Sequence, residues 1–136
     1  MEPTAPCPCH SGEAYHNCCQ PYHNGKVCPS AQSLMRSRYA AYALGLSDYI
    51  MDTTDPKGPL YQAHREAWRK TIDVFSQQCQ FESLRILGAS EGKKEAYVTF
   101  YAGLSEQGKD VSFAERSRFI KRGGRWYYHS GSHTGS

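Results

Sequence analysis

The pattern of apolar positions divides the chain into a helical part followed by a strand part. Apolar residues recur at steps of three and four between residues 31 and 49, which predicts one amphipathic helix. Ser30 can cap its start, and the segment 53–56 (Thr-Thr-Asp-Pro) ends it. Its inner stripe consists of Met35, Tyr39, Tyr42, Leu46 and Tyr49. We interpret this stripe as a core face, because apolar stripes on helices normally pack inward.

A second helix is predicted from Gly58-Pro59 onward, because proline is tolerated in the first turn of a helix. Its inner stripe consists of Leu60, His64, Ala67, Trp68, Thr71, Ile72 and Phe75. We interpret His64 on this stripe as a core residue and not as a ligand.

The period changes to two after Gln80, which predicts strands at 81–87, 96–104, 111–120 and 125–130. Short turns rich in glycine separate these strands, and the Gly123-Gly124 pair predicts a tight hairpin. Strands joined by short turns must be antiparallel. Helices followed by such a meander predict an α+β fold, with the helices against one face of a curved antiparallel sheet.

Four cysteines lie within thirteen residues near the start of the chain, with the spacing C-x-C-x8-C-C. They are Cys7, Cys9, Cys18 and Cys19. Two close pairs of thiolates joined by a short loop are typical of a structural zinc site, and thiolates select zinc, copper(I) or iron over magnesium or calcium. A nearby histidine can replace one sulfur, most readily that of Cys19. The candidates are His10, His16 and His23.

Two other readings of the cysteines stay open from the sequence, a disulfide framework or buried thiols, and a redox site. No apolar signal segment precedes Cys7, so we expect the reducing cytoplasm, where clustered cysteines more often bind metal. Adjacent Cys18 and Cys19 could form a disulfide only with strain. The C-x-C spacing also differs from the C-x-x-C of thioredoxin-like redox sites. Cys28 and Cys79 stand apart and are interpreted as ordinary half-buried thiols.

Length and composition bound the organisation. The 136 residues predict a metal knuckle at 1–28, an α+β domain at 29–131 and a disordered tail at 132–136. No stretch approaches the about 20 apolar residues of a membrane helix, so no membrane span is expected. The formal net charge of +3 is too small to indicate nucleic acid, and four metal-bound thiolates would lower it further.

Glu115 lies on the predicted apolar face of the third strand, where an unpaired carboxylate would be costly. We expect Arg36 or Arg38 from the first helix to pair with it. A structural ion pair is the favoured interpretation, with a ligand or acid–base site and a solvated pair as alternatives. The candidate pocket residues are Arg36, Arg38, Tyr39, Tyr42 and Glu115. No catalytic residue is assigned, and the sequence favours a protein that is not an enzyme.

Basic and aromatic residues alternate near the last hairpin, a mixture that can bind RNA. The stretch consists of Arg116, Arg118, Lys121, Arg122, Arg125, Trp126, Tyr127 and Tyr128. Hairpin tips are commonly basic for solubility alone, so nucleic-acid binding is not the favoured interpretation.

The cysteine run C-P-C-H-S-G-E-A-Y-H-N-C-C resembles the SEC-C motif, the metal-binding segment at the C-terminus of the SecA translocase motor. Three further blocks resemble the bacterial YchJ family: L-M-R-S-R-Y-A-A-Y at 34–42, E-R-S-R-F at 115–119 and G-R-W-Y-Y at 124–128. The resemblance implies a SEC-C knuckle followed by a nuclear-transport-factor-2-like (NTF2-like) domain, in which helices and a curved sheet form a cone.

The resemblance also implies a class of function, since the SEC-C motif of SecA binds zinc and docks the chaperone SecB. It suggests a metal-binding accessory or adaptor protein that contacts SecB, the ribosome or the export machinery. The alternatives are a small-ligand binder or enzyme that uses the cone around Glu115, and an RNA-associated factor. Many SEC-C motifs carry lysines where this chain has Glu13, Ala14, His16 and Asn17, which weakens any contact driven by positive charge.

Overall fold

The computed structural model describes residues 4–133. Its four helices are α1 (Gln20–His23), α2 (Ala31–Leu44), α3 (Ser47–Asp52) and α4 (Arg65–Gln78). Its five strands are β1 (Cys79–Glu91), β2 (Glu95–Glu106), β3 (Lys109–Asp110), β4 (Phe113–Arg122) and β5 (Arg125–His133). The predicted α+β class is confirmed.

The strands form one antiparallel sheet in the order β1-β2-β4-β5, with the short β3 pairing beside β2. Irregularities in the β1–β2 register, at Phe81/Ser83 and Ile86/Gly88, bend the first strand pair, since bulges increase local twist. In β2 the residues alternate between buried and half-buried positions, as the period of two predicts. The buried set comprises Ala96, Val98, Phe100, Ala102 and Leu104.

The start of α2 follows the prediction closely. The side chain of Ser30 accepts a hydrogen bond from the backbone N–H of Ser33, and the Ser33 hydroxyl accepts one from the backbone N–H of Ser30. Two backbone donors that the first turn would otherwise leave without a partner are thereby satisfied. Leu34, Met35 and Tyr39 from this helix then enter the main core beside the sheet.

The single long helix predicted from residue 31 to the segment 53–56 is wrong, because Gly45 ends α2 in a left-handed conformation with φ of 74°. Its N–H bonds the carbonyl oxygens of Ala41 and Tyr42, a common way to end a helix. A second helix, α3, begins only two residues later at Ser47. The steps of three and four pass across this break, so the periodicity alone does not reveal it.

The predicted start of the second helix at Gly58-Pro59 is also wrong, since α4 begins at Arg65. Residues 56–64 form an irregular connection instead, in which Leu60 is 45 % exposed and is not part of an inner stripe. Trp68 and Ile72 do face inward and join Ile50 and Met51 of α3 in a smaller second core.

The connection after α3 is held to the last strand. The Asp55 N–H donates to the carbonyl oxygen of Tyr128 at 2.8 Å, and the Tyr128 N–H donates to that of Thr53 at 2.8 Å. The fully buried Asp55 carboxylate also accepts two hydrogen bonds from Arg122, at 3.0 and 3.2 Å. Burial tends to raise the pKa of Asp55, but the paired guanidinium holds that pKa below its usual value.

The last strand continues further than expected. Ser132 and His133, which the sequence assigns to a disordered tail, pair with Arg116 and Glu115 of β4. Residues 134–136 of that tail lie outside the described residues. Within residues 4–133, we find no helix that is both long and apolar enough to cross a membrane.

Candidate metal centre and aromatic cavity

The four cysteines of the predicted knuckle converge on one point. The sulfur atoms of Cys7, Cys9, Cys18 and Cys19 all lie within 4.8 Å of one another. Cys9 and Cys18 are 3.5 Å apart at sulfur, and Cys18 and Cys19 are 3.9 Å apart. All six cysteines of the chain are free thiols in the structure, and Cys28 and Cys79 are half-buried, apart from this cluster.

Local backbone bonds fold the knuckle. The Cys7 N–H donates to the carbonyl oxygen of Glu13 at 2.9 Å, and the Tyr15 N–H donates to that of Ala5 at 2.8 Å. His10 reverses the chain in a left-handed conformation with φ of 61°. A short 3₁₀ turn at Tyr15–Asn17 then brings the second cysteine pair back against the first.

The pKa values of the Cys9 and Cys19 thiols are displaced in opposite directions. Hydrogen bonds with Cys19 and Cys7 hold the pKa of the Cys9 thiol far below its ordinary value. Hydrogen bonds with Cys7 and Cys9, together with burial, raise the pKa of the Cys19 thiol. A cluster that is this close and this buried contains donors for one soft metal ion, because thiolates are the ligands that such ions prefer. The knuckle can therefore hold a metal ion.

The knuckle packs directly on the main domain. Arg36 of α2 donates from Nη1 to the Cys9 carbonyl oxygen at 3.2 Å and lies 4.0 Å from the Cys9 sulfur. Buried Cys7, Cys9, Tyr15 and Cys19 belong to the same core cluster as Leu34 and Met35. The cysteine cluster is thus continuous with the hydrophobic core.

Two of the three histidines proposed as substitute ligands have partners away from the sulfurs. His10 Nε2 donates to the Phe81 carbonyl oxygen at 3.0 Å. His23 Nε2 donates to the Ser37 carbonyl oxygen at 2.8 Å, and its Nδ1 accepts from the Tyr15 hydroxyl at 2.6 Å. The cluster that the structure brings together contains sulfur donors and no histidine among residues 4–133.

A cavity of about 360 Å³ lies between the helices and the concave face of the sheet. This volume falls in the range of small-molecule sites. Four of the five candidate pocket residues line it: Arg38, Tyr39, Tyr42 and Glu115. Arg36 does not line it, since its guanidinium is directed to Cys9 instead.

The expected pairing of Glu115 with Arg36 or Arg38 is wrong. Glu115 Oε2 accepts hydrogen bonds from the Ser117 hydroxyl and, at 2.9 Å, from the Tyr128 hydroxyl. Arg38 is buried and donates from Nη1 to the Ile50 carbonyl oxygen at 2.9 Å and to the Thr53 hydroxyl at 2.7 Å. The backbone oxygens and hydroxyls at the end of α3 satisfy this arginine in place of a carboxylate.

The comparisons with known proteins agree with this architecture. The YchJ middle NTF2-like domain matches residues 30–131, and the SEC-C motif matches residues 4–21. The chain belongs to the YchJ family.

Relatives of this YchJ-family chain cover nearly its whole length. It is 37 % identical to UPF0225 protein VP1145 of Vibrio parahaemolyticus over 127 residues, which is 93 % of this chain and 74 % of that protein. Among solved structures, it resembles RPA3114, a SEC-C motif containing protein from Rhodopseudomonas palustris, with a TM-score of 0.82 and 37 % identity over 96 % of this chain and all of that one.

A second solved structure, a SEC-C motif containing protein from Psychrobacter arcticus, gives a TM-score of 0.76 at 26 % identity. It covers 98 % of this chain and 84 % of that one. The predicted family and the NTF2-like fold of helices on a curved antiparallel sheet are therefore confirmed for this YchJ-family chain.

Sequence reasoning missed most of the cavity wall. Half of its 18 lining residues are aromatic, and they come from two helices and four strands. They are Tyr39, Tyr42, Trp68, Phe75, Phe81, Phe100, Phe113, Phe119 and Tyr128. The high tyrosine and phenylalanine content is the one signal in the sequence, and it does not separate cavity walls from ordinary core.

Proposed function

We propose that this YchJ-family chain is a zinc-binding accessory protein of the cytoplasm, whose knuckle contacts the SecB chaperone or the translation and export machinery. The observation that supports it most directly is the convergence of four cysteine sulfurs within 4.8 Å, inside a SEC-C motif. Four protein donors would leave a metal ion no open position for substrate, which is typical of a structural site.

Zinc fits the donor set. A tetrahedral zinc with bonds of about 2.3 Å places its thiolates about 3.8 Å apart, close to the 3.5 and 3.9 Å separations here. The ion would be held by Cys7, Cys9, Cys18 and Cys19. It would supply positive charge for thiolates that are otherwise buried together, and it would fix the fold of the knuckle. Iron is the alternative metal.

The outer surface of the knuckle bears on the kind of partner. The exposed side of the cysteine loop carries Ser11, Glu13, His16 and Asn17, with no lysine or arginine among them. A contact driven by positive charge against an acidic partner is therefore not what this surface offers. We expect a contact through hydrogen bonds and shape, with an affinity that depends little on salt.

The experiment that tests this function measures metal and capture on the same samples. Wild-type protein is purified from its own host, its metal content is measured by mass spectrometry, and it is immobilised to capture purified SecB or ribosomes. We expect about one zinc ion per chain and capture of one of these partners. Cys18→Ser should lose both, whereas the control Cys79→Ser, outside the cluster, should keep both. Capture that survives complete removal of the metal would contradict the proposal.

The cavity supports a second function, the binding of a small ligand by the NTF2-like domain. The supporting observation is a space of about 360 Å³ that the side chains leave open, with one carboxylate on its wall. Polar groups on a mostly apolar wall are the usual arrangement of a ligand site. A ligand that fills the cavity should raise the melting temperature, because binding to the folded state alone stabilises it.

Binding of nucleic acid is not proposed. Several basic side chains of the last hairpin are engaged within the molecule: Arg116 lies 3.9 Å from the Tyr97 ring centre, Arg118 pairs with Glu95 at 2.6 Å, and Arg122 pairs with Asp55. These contacts leave few free cations to meet phosphates.

A further inference from the structure

The wall of the cavity combines aromatic faces with one carboxylate. Nine of the 18 lining residues are aromatic, and the charged members are Glu115 and Arg38. The faces of aromatic rings carry negative potential and attract organic cations, most strongly when the cation is removed from water. The ring composition and the carboxylate therefore favour the same kind of ligand.

Glu115 has the capacity for a further partner. The hydrogen bonds from Ser117 and Tyr128 both reach Oε2, and within residues 4–133 we find no hydrogen bond to Oε1. No lysine, arginine or histidine nitrogen among those residues lies within the 4.0 Å of a salt bridge to this carboxylate. A half-buried carboxylate with a free oxygen attracts a cationic donor.

Arg38 is the one positively charged residue among those that line the cavity. Its position limits how far it can compete with a cationic ligand for Glu115. Its Nη1 donates to the Ile50 carbonyl oxygen and to the hydroxyls of Thr53 and Thr54, at 2.9, 2.7 and 3.2 Å. Its guanidinium carbon lies 4.6 Å from the centre of the Tyr128 ring. The arginine is thus held against the end of α3 and one aromatic face.

The last strand, β5, has a glycine where it passes the Glu115 side chain. Gly131 of β5 lies directly beneath the carboxylate, because a Cβ built on Gly131 would collide with the carboxylate of Glu115 and would lie 2.7 Å from the Tyr128 hydroxyl oxygen. Glycine leaves room for the carboxylate in this position, whereas an added Cβ would displace it. The carboxylate is therefore fixed by Ser117, Tyr128 and the bare backbone of β5.

We propose that the cavity binds an organic ammonium ion with an apolar body. The ammonium group bonds to Glu115, and the body lies among the aromatic side chains. This inference rests on the proposed ligand-binding function of the cavity and names the class of ligand. Glu115 gives the site its preference for positive charge, and the aromatic wall gives it affinity for the apolar body.

The experiment compares three probes that share one aromatic body and differ in charge: 2-phenylethylamine as its cation, 2-phenylethanol and phenylacetate. Each is titrated into the 136-residue protein by calorimetry, with protein-observed NMR to locate the contacts. We expect the amine to bind about tenfold more tightly than the alcohol, and phenylacetate to bind more weakly than both. Glu115→Gln should abolish the preference for the amine while the alcohol still binds. Glu82→Gln removes an exposed carboxylate bonded to Ser105 outside the cavity and should leave the preference unchanged.

The outcomes separate the inference from the function on which it rests. Equal binding of amine and alcohol, or a preference for the amine that survives Glu115→Gln, overturns the inference and leaves ligand binding intact. A preference for phenylacetate also overturns the inference and leaves ligand binding intact. It would indicate that Arg38 binds the carboxylate of the ligand. If none of the three probes contacts the cavity, both the ammonium site and the proposed ligand-binding function are overturned.

Discussion

The knuckle draws its four sulfurs from thirteen consecutive residues, whereas the cavity draws its wall from positions between Met35 and Tyr128. The knuckle gathers its chemistry by local turns and then packs on α2. The cavity exists only after helices from one part of the chain have met strands from another. A local site can be predicted from spacing, while a cavity of this kind depends on the whole fold.

The ionisable groups of the two regions also differ in their partners. In the knuckle, ionisable thiols are placed together so that one ion can satisfy them all. In the cavity, Glu115 and Arg38 line one space without forming a salt bridge, and each is held by neutral hydroxyl or carbonyl groups. The first arrangement places four sulfurs around one point, and the second leaves one carboxylate oxygen without a hydrogen bond among residues 4–133.

The largest effect should come from the knuckle. Cys9→Ser removes a sulfur that is fully buried and adjacent to Arg36, so we expect loss of the metal and of several kcal/mol of stability. The measurement is metal content together with the urea midpoint. Cys79→Ser, at the start of β1, is the matched control and should change neither by much. Full metal content in Cys9→Ser would show that the centre is not the one described.

The next largest effect is a loss of stability in the cavity domain that should leave the knuckle unchanged. Asp55→Asn breaks the two-bond pair with Arg122 that holds the connection after α3 on β5, beside Tyr128. Since Arg122 is 40 % exposed, we expect a loss of about 2 kcal/mol, less than for a fully buried pair. Metal content should remain unchanged. If the metal were lost as well, the knuckle and the cavity domain would be more strongly coupled than their contacts indicate.

The same pair predicts a pH dependence. The pKa of Asp55 is held below its ordinary value of 3.8, so the pair stabilises the protein above that value. This stabilisation is lost as the pH falls through the lower pKa of the folded state, because the unfolded state then binds the proton more readily. The difference in unfolding free energy between wild type and Asp55→Asn should therefore shrink from about pH 5 to about pH 2. A difference that stays constant over this window would rule out the Asp55 pair as its source.

A smaller effect is expected inside the cavity. Gly131→Ala places a methyl group against the carboxylate of Glu115, and we expect a loss of about 1–2 kcal/mol from overpacking, with the Glu115 side chain displaced. Thermal unfolding measures the loss. Gly88→Ala in β1 is the control, because its added Cβ would meet no atom within 4 Å. Equal stability of the two variants would mean that Glu115 does not occupy the place described.

The predictability of each region follows from the range of its contacts. The spacing of Cys7, Cys9, Cys18 and Cys19 is enough to predict the cysteine cluster. The alternation of apolar residues in β2 is enough to predict which face of that strand is buried. The break at Gly45 was missed because the apolar residues keep their spacing of three and four across it in the sequence. The partners of Glu115 and Arg38 were missed because they are distant in sequence. The pairing of β4 with β5 brings Tyr128 to Glu115, and the turn between α2 and α3 brings the end of α3 to Arg38.

The smallest effect tests the boundary between the regions. His10→Asn removes the ring that donates to the Phe81 carbonyl oxygen at 3.0 Å and contacts Tyr39 edge-on, while asparagine tolerates the left-handed backbone at this position. We expect a loss of about 0.5–1 kcal/mol, the usual contribution of one such hydrogen bond. Metal content, measured beside that of Cys19→Ser, should stay at the wild-type level because His10 lies outside the cluster of four sulfurs. If His10→Asn lost the metal as completely as Cys19→Ser, a histidine would belong to the ligand set, and the knuckle would be less local in its chemistry than its spacing implies.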